Sequence, residues 1–563
     1  FFLILNFLFS FSLSNYLEKK KIIFFNTFQP IVIFILIFIL YSIILNFVIL
    51  TNIPIFFDLI FYTIIFFQLL FVIKNFQFLV KFISSIISNF RPKEYIFLIL
   101  ILFFLITILP ISDADSIALH QNLSNEIYLN GLSNINLEKN ISYTIFSNTQ
   151  SLLIISPILK SDNFGSQLNF FILLIFILSN FKKNKNFAYI VFASPLIIYF
   201  ISAQKLQLFF GILYLLIFIL VNQGYVKTKI ELFISILLLI FYSSGNLSYI
   251  LYSIPLYSYI FYQQRKFWKR VIIFSAISFF VIFLPIFLIK QIYFLNIFAP
   301  FLDSLFGNNN FFYNAYAYSI RSTDGWISNP YNFELYLKPF IFFSINEFSS
   351  SLGIIFLLML LNFKTLKQTL FFPLIIVFLV LSTGQILPRY YFEAFLLLAY
   401  FFKSENFITK IILVSHNLLI VFVSIGFIYF AYINANVLIN KDKFMNKFSY
   451  TYFNSQQLKK IEFDGNVLDF SSNRPSTFYK KNIFSMRTLN VLNQYKENNE
   501  LYLTNYIKNN SIDYLIIDKK MSSPSCLTLE NIGTTKRKLA VRNFLRNEKI
   551  NEYNVAKIIK NEC

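Results

Sequence analysis

The sequence predicts an all-α polytopic membrane protein that ends in a small extracytoplasmic α/β domain. Three observations lead there. Hydrophobic residues fill 57% of the 563 positions and charged ones only 13%, with a mean hydropathy of +0.63; a soluble core cannot hide that much apolar surface, so lipid must cover part of it. Apolar runs near the length of about 20 residues that crosses a hydrocarbon layer recur up to residue 431. Past residue 434 the apolar runs shrink to strand length. A soluble enzyme, a disordered chain and a disulfide-stapled secreted module are all excluded.

The runs lie near 1–16, 28–50, 53–73, 95–111, 166–181, 187–203, 205–222, 230–244, 246–262, 271–290, 346–362, 369–386, 388–402 and 409–431. That gives about fourteen expected transmembrane helices. The net charge of +21 does not indicate nucleic acid, because Lys and Arg fall in short clusters between apolar runs. The abundance of Phe, Ile, Asn, Lys and Tyr, a mark of AT-rich coding, explains part of the basicity. The clusters at Lys19–Lys21, 74–93, Lys182–Lys185, Lys227–Lys229, Arg265–Arg270, Lys364–Lys367 and Lys403–Lys410 fall on alternate loops. The positive-inside rule places those loops in the cytoplasm and the rest outside. The chain opens at Phe1 within an apolar run and without Met, so its start is expected upstream.

Three parts follow. Residues 1–94 hold extra N-terminal transmembrane helices and a cytoplasmic amphipathic helix at 74–94 with Phe78, Phe82 and Ile86 on one face. Residues 95–433 form the membrane core, with long outer loops at 112–165 and 291–345. Residues 434–563 read as an extracytoplasmic α/β domain: strands at Asn466–Phe470 and Asp513–Asp518 flank a polar helical pattern from Arg487 to Lys508. Cys526 and Cys563, the only two cysteines, both lie there and can pair or remain thiols.

The chemistry concentrates in Pro110-Ile-Ser-Asp-Ala-Asp-Ser-Ile-Ala-Leu-His120. Asp113 and Asp115 stand where a span leaves the membrane. A carboxylate there can take a proton from an incoming hydroxyl or amine, and a pair can hold a divalent ion such as Mg or Mn. Leu119, Leu123 and Ile127 recur every four residues and Gly131 supplies a stop, which predicts a helix on the bilayer surface. His120, seven residues after Asp113, can face the same cavity. The competing reading is plain capping through Ser112-x-x-Asp115, which leaves Asp113 as the acid that capping does not require.

Ser112-Asp-Ala-Asp-Ser-Ile-Ala-Leu-His120 resembles the acidic motif that opens the first outer loop of the polytopic GT-C glycosyltransferases. These share a membrane fold with the protein O-mannosyltransferases (family 39) and the lipid A aminoarabinose transferase, and take sugars from polyprenyl phosphate. Gly384-Gln-Ile-Leu-Pro-Arg-Tyr-Tyr-Phe-Glu393 is similar to their late Arg-Tyr motif. The resemblance implies that Arg389 faces the donor phosphate, in keeping with the forked bonds a guanidinium makes. Tyr390 and Glu393 join it as substrate-binding candidates; an Arg389–Glu393 pair four residues apart and an aromatic belt are the alternatives. The tail, with Asn466-Val-Leu-Asp-Phe and Tyr506 to Asp518, resembles the outer domain of such enzymes.

The chain also departs from the pattern. Several relatives carry an acid in the second outer loop, where this chain has Lys205, a residue that can meet donor phosphate or snorkel to the interface. Asp162 is a spare acid. Arg321, in Arg321-Ser-Thr-Asp-Gly-Trp326, is a ligand candidate on a loop that reads either as anchored at the membrane interface or as a lid, and His416 reads as a packed helix residue. The resemblance implies a bacterial inner-membrane transferase that moves sugar from a polyprenyl-phosphate donor to a lipid, glycan or protein acceptor outside the cytoplasm. A glycolipid flippase and an outer-glycan polymerase or ligase are the alternatives. Membrane lipids are expected partners; nucleic acid is not.

Overall fold

The computed structural model describes the chain apart from residues 23, 54, 78–95, 114, 136, 138–140, 182, 310–312, 315–316, 318–350, 362–370, 383–387, 403–406, 435, 471–482, 486–498, 520–526, 539–549 and 562–563. The expected amphipathic helix beyond Gln77, the loop carrying Arg321 and both cysteines lie outside the described residues.

The N-terminal helices are α1 (Phe2–Lys19), α2 (Gln29–Thr51), α3 (Ile55–Lys74) and α4 (Ile96–Thr107). An irregular outer segment follows, containing α5 (Asn122–Asn130), α6 (Asn148–Leu153) and α7 (Ile155–Ile158). Then come α8 (Phe164–Asn180), α9 (Lys185–Phe192), α10 (Pro195–Ile201), α11 (Gln207–Asn222), α12 (Lys229–Ser244), α13 (Leu247–Gln263) and α14 (Trp268–Phe294). Past the short α15 (Asp303–Phe306), the bundle closes with α16 (Ile354–Leu361), α17 (Phe371–Ser382), α18 (Phe392–Phe401) and α19 (Phe407–Ile428).

The expectation of about fourteen spans is not supported, because hydropathy windows of about 20 residues run straight through turns. Among the described residues α2, α3, α14 and α19 contain the 4 stretches long and apolar enough to cross a membrane. Helices α4, α8, α11 and α17 are apolar but shorter, at 10–17 residues. The expected span 187–203 is two helices, divided where Pro195 starts α10, since proline's missing N–H suits a first turn. Of the expected span 346–362, the helix described is Ile354–Leu361.

The four long helices differ in placement. The spanning stretch of α2 is 72% buried, against 22, 33 and 28% for α3, α14 and α19. Helix α2 is therefore a core strut, apolar on every side. The outer three turn Phe67, Phe280 and Phe422 outward at 64, 60 and 69% exposure. Rows of outward Phe and Ile of this kind require an apolar solvent, and they associate the chain with a membrane.

Contacts between turns fix the two ends of the bundle. The Lys183 ammonium lies 3.4 Å from both the Thr27 and the Tyr225 hydroxyls. Asn184 donates to the Tyr400 carbonyl at 2.6 Å, and Gln264 to the Val226 carbonyl at 3.4 Å. The basic turns near Lys20, Lys183, Lys227 and Arg265 thus gather at one end. At the other end Asn52 bonds Ser133 at 3.0 Å, Ser147 bonds the Gly245 carbonyl at 2.7 Å, and Lys290 reaches the Thr144 carbonyl at 3.2 Å. That is the end with few basic clusters, where the acidic motif lies.

After α19 the chain continues at this second end, where Lys441 meets Asp162 at 2.6 Å. Helices α20 (Lys441–Phe448) and α21 (Tyr450–Leu458) lead into a sheet of β1 (Asn466–Asp469), β2 (Ile483–Ser485), β3 (Ile512–Asp518), β4 (Leu527–Lys538) and β5 (Ile550–Asn561), with α22 (Asn499–Asn509) before β3. The strand order is β2-β1-β3-β5-β4, parallel among β2, β1 and β3 and antiparallel from β3 through β5 to β4. Alternate residues serve opposite faces: Val467, Tyr514 and Ile516 pack on one, Leu468, Leu515 and Ile517 on the other.

Candidate functional site

The site is built from two turns. Asp113 precedes a π-helical turn, Ser116–Gln121, that runs into α5. Its Oδ2 accepts from the Ser116 N–H at 2.9 Å and the Ser116 hydroxyl at 2.7 Å. The capping bond is thus made by Asp113, three residues ahead of the bonded N–H, while Asp115, at the N-cap position of the turn, makes no side-chain capping bond. The periodic reading of α5 agrees with what is seen: Leu123 and Ile127 are buried against the bundle, and Gly131, at φ +74, ends the helix where a Cβ would lie 2.2 Å from the Asn52 side chain.

The second turn, 202–206, joins α10 to α11. Gly165 lets it come close, since a Cβ there would stand 2.9 Å from the Gln204 carbonyl oxygen, and the Gly165 N–H bonds the Gln204 side chain at 2.9 Å. Asn169, fully buried, donates to the carbonyls of Phe200 and Lys205 and accepts from the Phe209 N–H at 3.0 Å. The Gln204 N–H donates to the Ser116 hydroxyl at 2.9 Å, which pins one turn to the other.

This clamp places the Lys205 ammonium 3.0 Å from Asp115 and 3.6 Å from Asp113. The lysine side chain is 9% exposed, Asp115 18% and Asp113 27%. Lys205 also donates to the Tyr199 hydroxyl and lies 5.2 Å from that ring's centre. Lys205 is turned inward to the two acids rather than out to the lipid interface, the placement that snorkelling would give it. His120 sits near the same charges. Burial, then the Lys205 ammonium, push its imidazole down to about 3 while Asp113 pulls the other way, and its Nδ1 lies 3.4 Å from the Gln150 amide. The spare acid Asp162 is engaged by Gln121 at 2.6 Å and by Lys441.

Arg389 is on a short turn, Pro388–Tyr391, at the head of α18. The Phe392 ring that follows is 4.8 Å from Phe200, at the end of α10 just before the Lys205 turn. Helix α18 then runs to Tyr400 at the basic end. Arg389 and the acid pair thus occupy the same end of the bundle. Arg389 donates to the Tyr390 hydroxyl at 3.2 Å and lies 5.0 Å from that ring's centre. Glu393 is buried and accepts from Tyr242 at 2.9 Å. His416 is buried in α19, beside Gly353. Sequence reading missed Ser116, Gln204 and Asn169. The only available signal was a run of small and amide residues around turns, which has many other causes.

A divalent ion does not fit this arrangement. The Lys205 ammonium already lies 3.0 Å from Asp115 and 3.6 Å from Asp113, where an ion shared by the two carboxylates would have to sit. Beyond that, an ammonium and a doubly charged ion about 4 Å apart repel by roughly 8 kcal/mol at an effective dielectric near 20.

Comparison with protein-family models, with curated proteins and with solved structures yields no match.

Proposed function

We propose that this chain is an integral membrane glycosyltransferase of the bacterial inner membrane. It moves a sugar from a polyprenyl-phosphate donor to a lipid, glycan or protein acceptor on the extracytoplasmic side, where its sheet domain also lies. The observation that carries this reading is the gathering of the Asp113–Asp115–Lys205 cluster and Arg389 at the end of an apolar bundle opposite its basic turns.

In this reading the acceptor oxygen attacks the anomeric carbon of the sugar. The carbon–oxygen bond to phosphate breaks, and its electron pair leaves with polyprenyl phosphate. Asp113, the more exposed acid, takes the acceptor proton as general base. The departing group is already an anion, so Arg389 stabilises it by forked hydrogen bonds without protonating it. A lipid-borne donor accounts for an acid pair at the membrane boundary.

Mass spectrometry of surface glycolipids and glycoproteins tests the proposal. A strain lacking the protein should lose one hexose, pentose or amino-sugar decoration, and a strain carrying Asp113→Asn should lose the same one with normal amounts of the protein. An Asp113→Asn strain with the full wild-type glycan profile would reject the assignment. Accumulation of an unmodified glycolipid on the cytoplasmic face, with no missing linkage, would favour a flippase.

A further inference from the structure

We infer that Lys205 takes the place of a divalent cation in this site, so that the acid pair works with a counter-ion belonging to the chain itself. The inference rests on the proposed function for its role in transfer, and on the geometry alone for its test. Two carboxylates held near each other repel unless a cation lies between them. Metal-dependent sites meet that need with an ion bound through oxygen ligands. Here the Lys205 ammonium lies 3.0 Å from Asp115 and 3.6 Å from Asp113.

The placement is constructed. The turn bearing Lys205 is fixed by Asn169 to the Phe200 and Lys205 carbonyls, and by Gln204 to Ser116. It is also admitted by Gly165, where any side chain would strike Gln204. A lysine that snorkels to the interface needs no such support. Asp115 is the closer partner of Lys205, and Asp113 is the more exposed of the two acids. A bound divalent ion would take up both carboxylates. The lysine thus positions the pair and sets its charge without touching substrate.

The full-length protein in detergent, titrated with Mn2+ and followed by electron paramagnetic resonance and thermal unfolding, tests this. The wild type should show no Mn2+ binding that depends on Asp115. Lys205→Met removes the ammonium while keeping the stem, so it should bind Mn2+ at least about tenfold more tightly than the wild type and recover thermal stability as the ion is added. Lys205→Met with Asp115→Asn should lose that binding. If Lys205→Met alone does not accumulate as folded protein, Lys205→Arg and the double variant should both fold, because each limits the excess negative charge. Wild-type Mn2+ binding abolished by Asp115→Asn would overturn the inference. So would a folded Lys205→Met that gains no Mn2+, or, where Lys205→Met does not fold, a double variant that folds no better. None of these readouts involves sugar transfer, so failure of the proposed activity leaves this test intact.

Discussion

His120 shows how a single residue near the acid pair links structure to pH. Its imidazole is held neutral, pushed down from 6.5 to about 3 chiefly by burial. The unfolded chain therefore binds a proton below pH 6.5 that the folded chain refuses until near pH 3. Stability contributed by this site is complete above 6.5 and declines as pH falls through that window. His120→Asn should show a shallower loss of thermal stability between pH 6.5 and 4 than the wild type, followed by unfolding in detergent; parallel curves would remove His120 from the balance. At this scale the sequence drew attention to the stretch 110–120 but did not show which of its acids caps the turn. The motif Asp113-Ala-Asp115-Ser116 permits either acid to cap, and only the start of the turn at Ser116 gives the cap to Asp113. Lys205 could not be joined to Asp115 from sequence, because 90 positions separate them. Their meeting depends on how α8 supports the intervening turn.

At the scale of elements, the sheet domain offers a sharp stability test. Arg537 of β4 and Asp469 of β1 form an ion pair at 2.9 Å with 2% and 4% exposure. Removing one partner of such a pair leaves an uncompensated buried charge, which costs about 3–5 kcal/mol. Arg537→Met should therefore lower the domain's unfolding midpoint markedly, and adding Asp469→Asn should restore part of the loss. Limited proteolysis across a temperature series measures this, and a midpoint unchanged in Arg537→Met would contradict it. Strands β1 and β3 were legible because their apolar residues form short dense runs, Val467-Leu468 and Leu515-Ile516-Ile517. The hairpin of β4 and β5 was not. Its strands carry runs of polar residues such as Glu530-Asn531, Lys536-Arg537-Lys538 and Asn551-Glu552, and the stretch 527–538 resembles a solvated linker until cross-strand pairing is known. The helices erred in the opposite direction. Hydropathy joined α9 to α10 across Ser194-Pro195, although the proline itself marked the break.

For the whole molecule, charge and packing give a consistent sidedness. Among the described residues, the basic turns near Lys20, Lys183, Lys227 and Arg265 meet at one end, and Asp113, Asp115, Lys205 and Arg389 lie at the other. This arrangement was legible in the order of basic clusters even where span lengths were not, because orientation depends on the alternation of charged turns rather than on where each helix ends. The proposed chemistry needs it, since a polyprenyl-linked donor presented outside the cytoplasm can be used only by acids on that side. The most direct check is sided labelling of single cysteines in whole cells, in a protein with Cys526 and Cys563 replaced by serine. Leu129→Cys and Tyr390→Cys probe the acid end, and Lys266→Cys probes the basic end. The account predicts that an impermeant maleimide reaches the first two in intact cells and the third only after the membrane is opened. Labelling of Tyr390→Cys and Leu129→Cys from opposite sides would separate Arg389 from the acids and contradict the account.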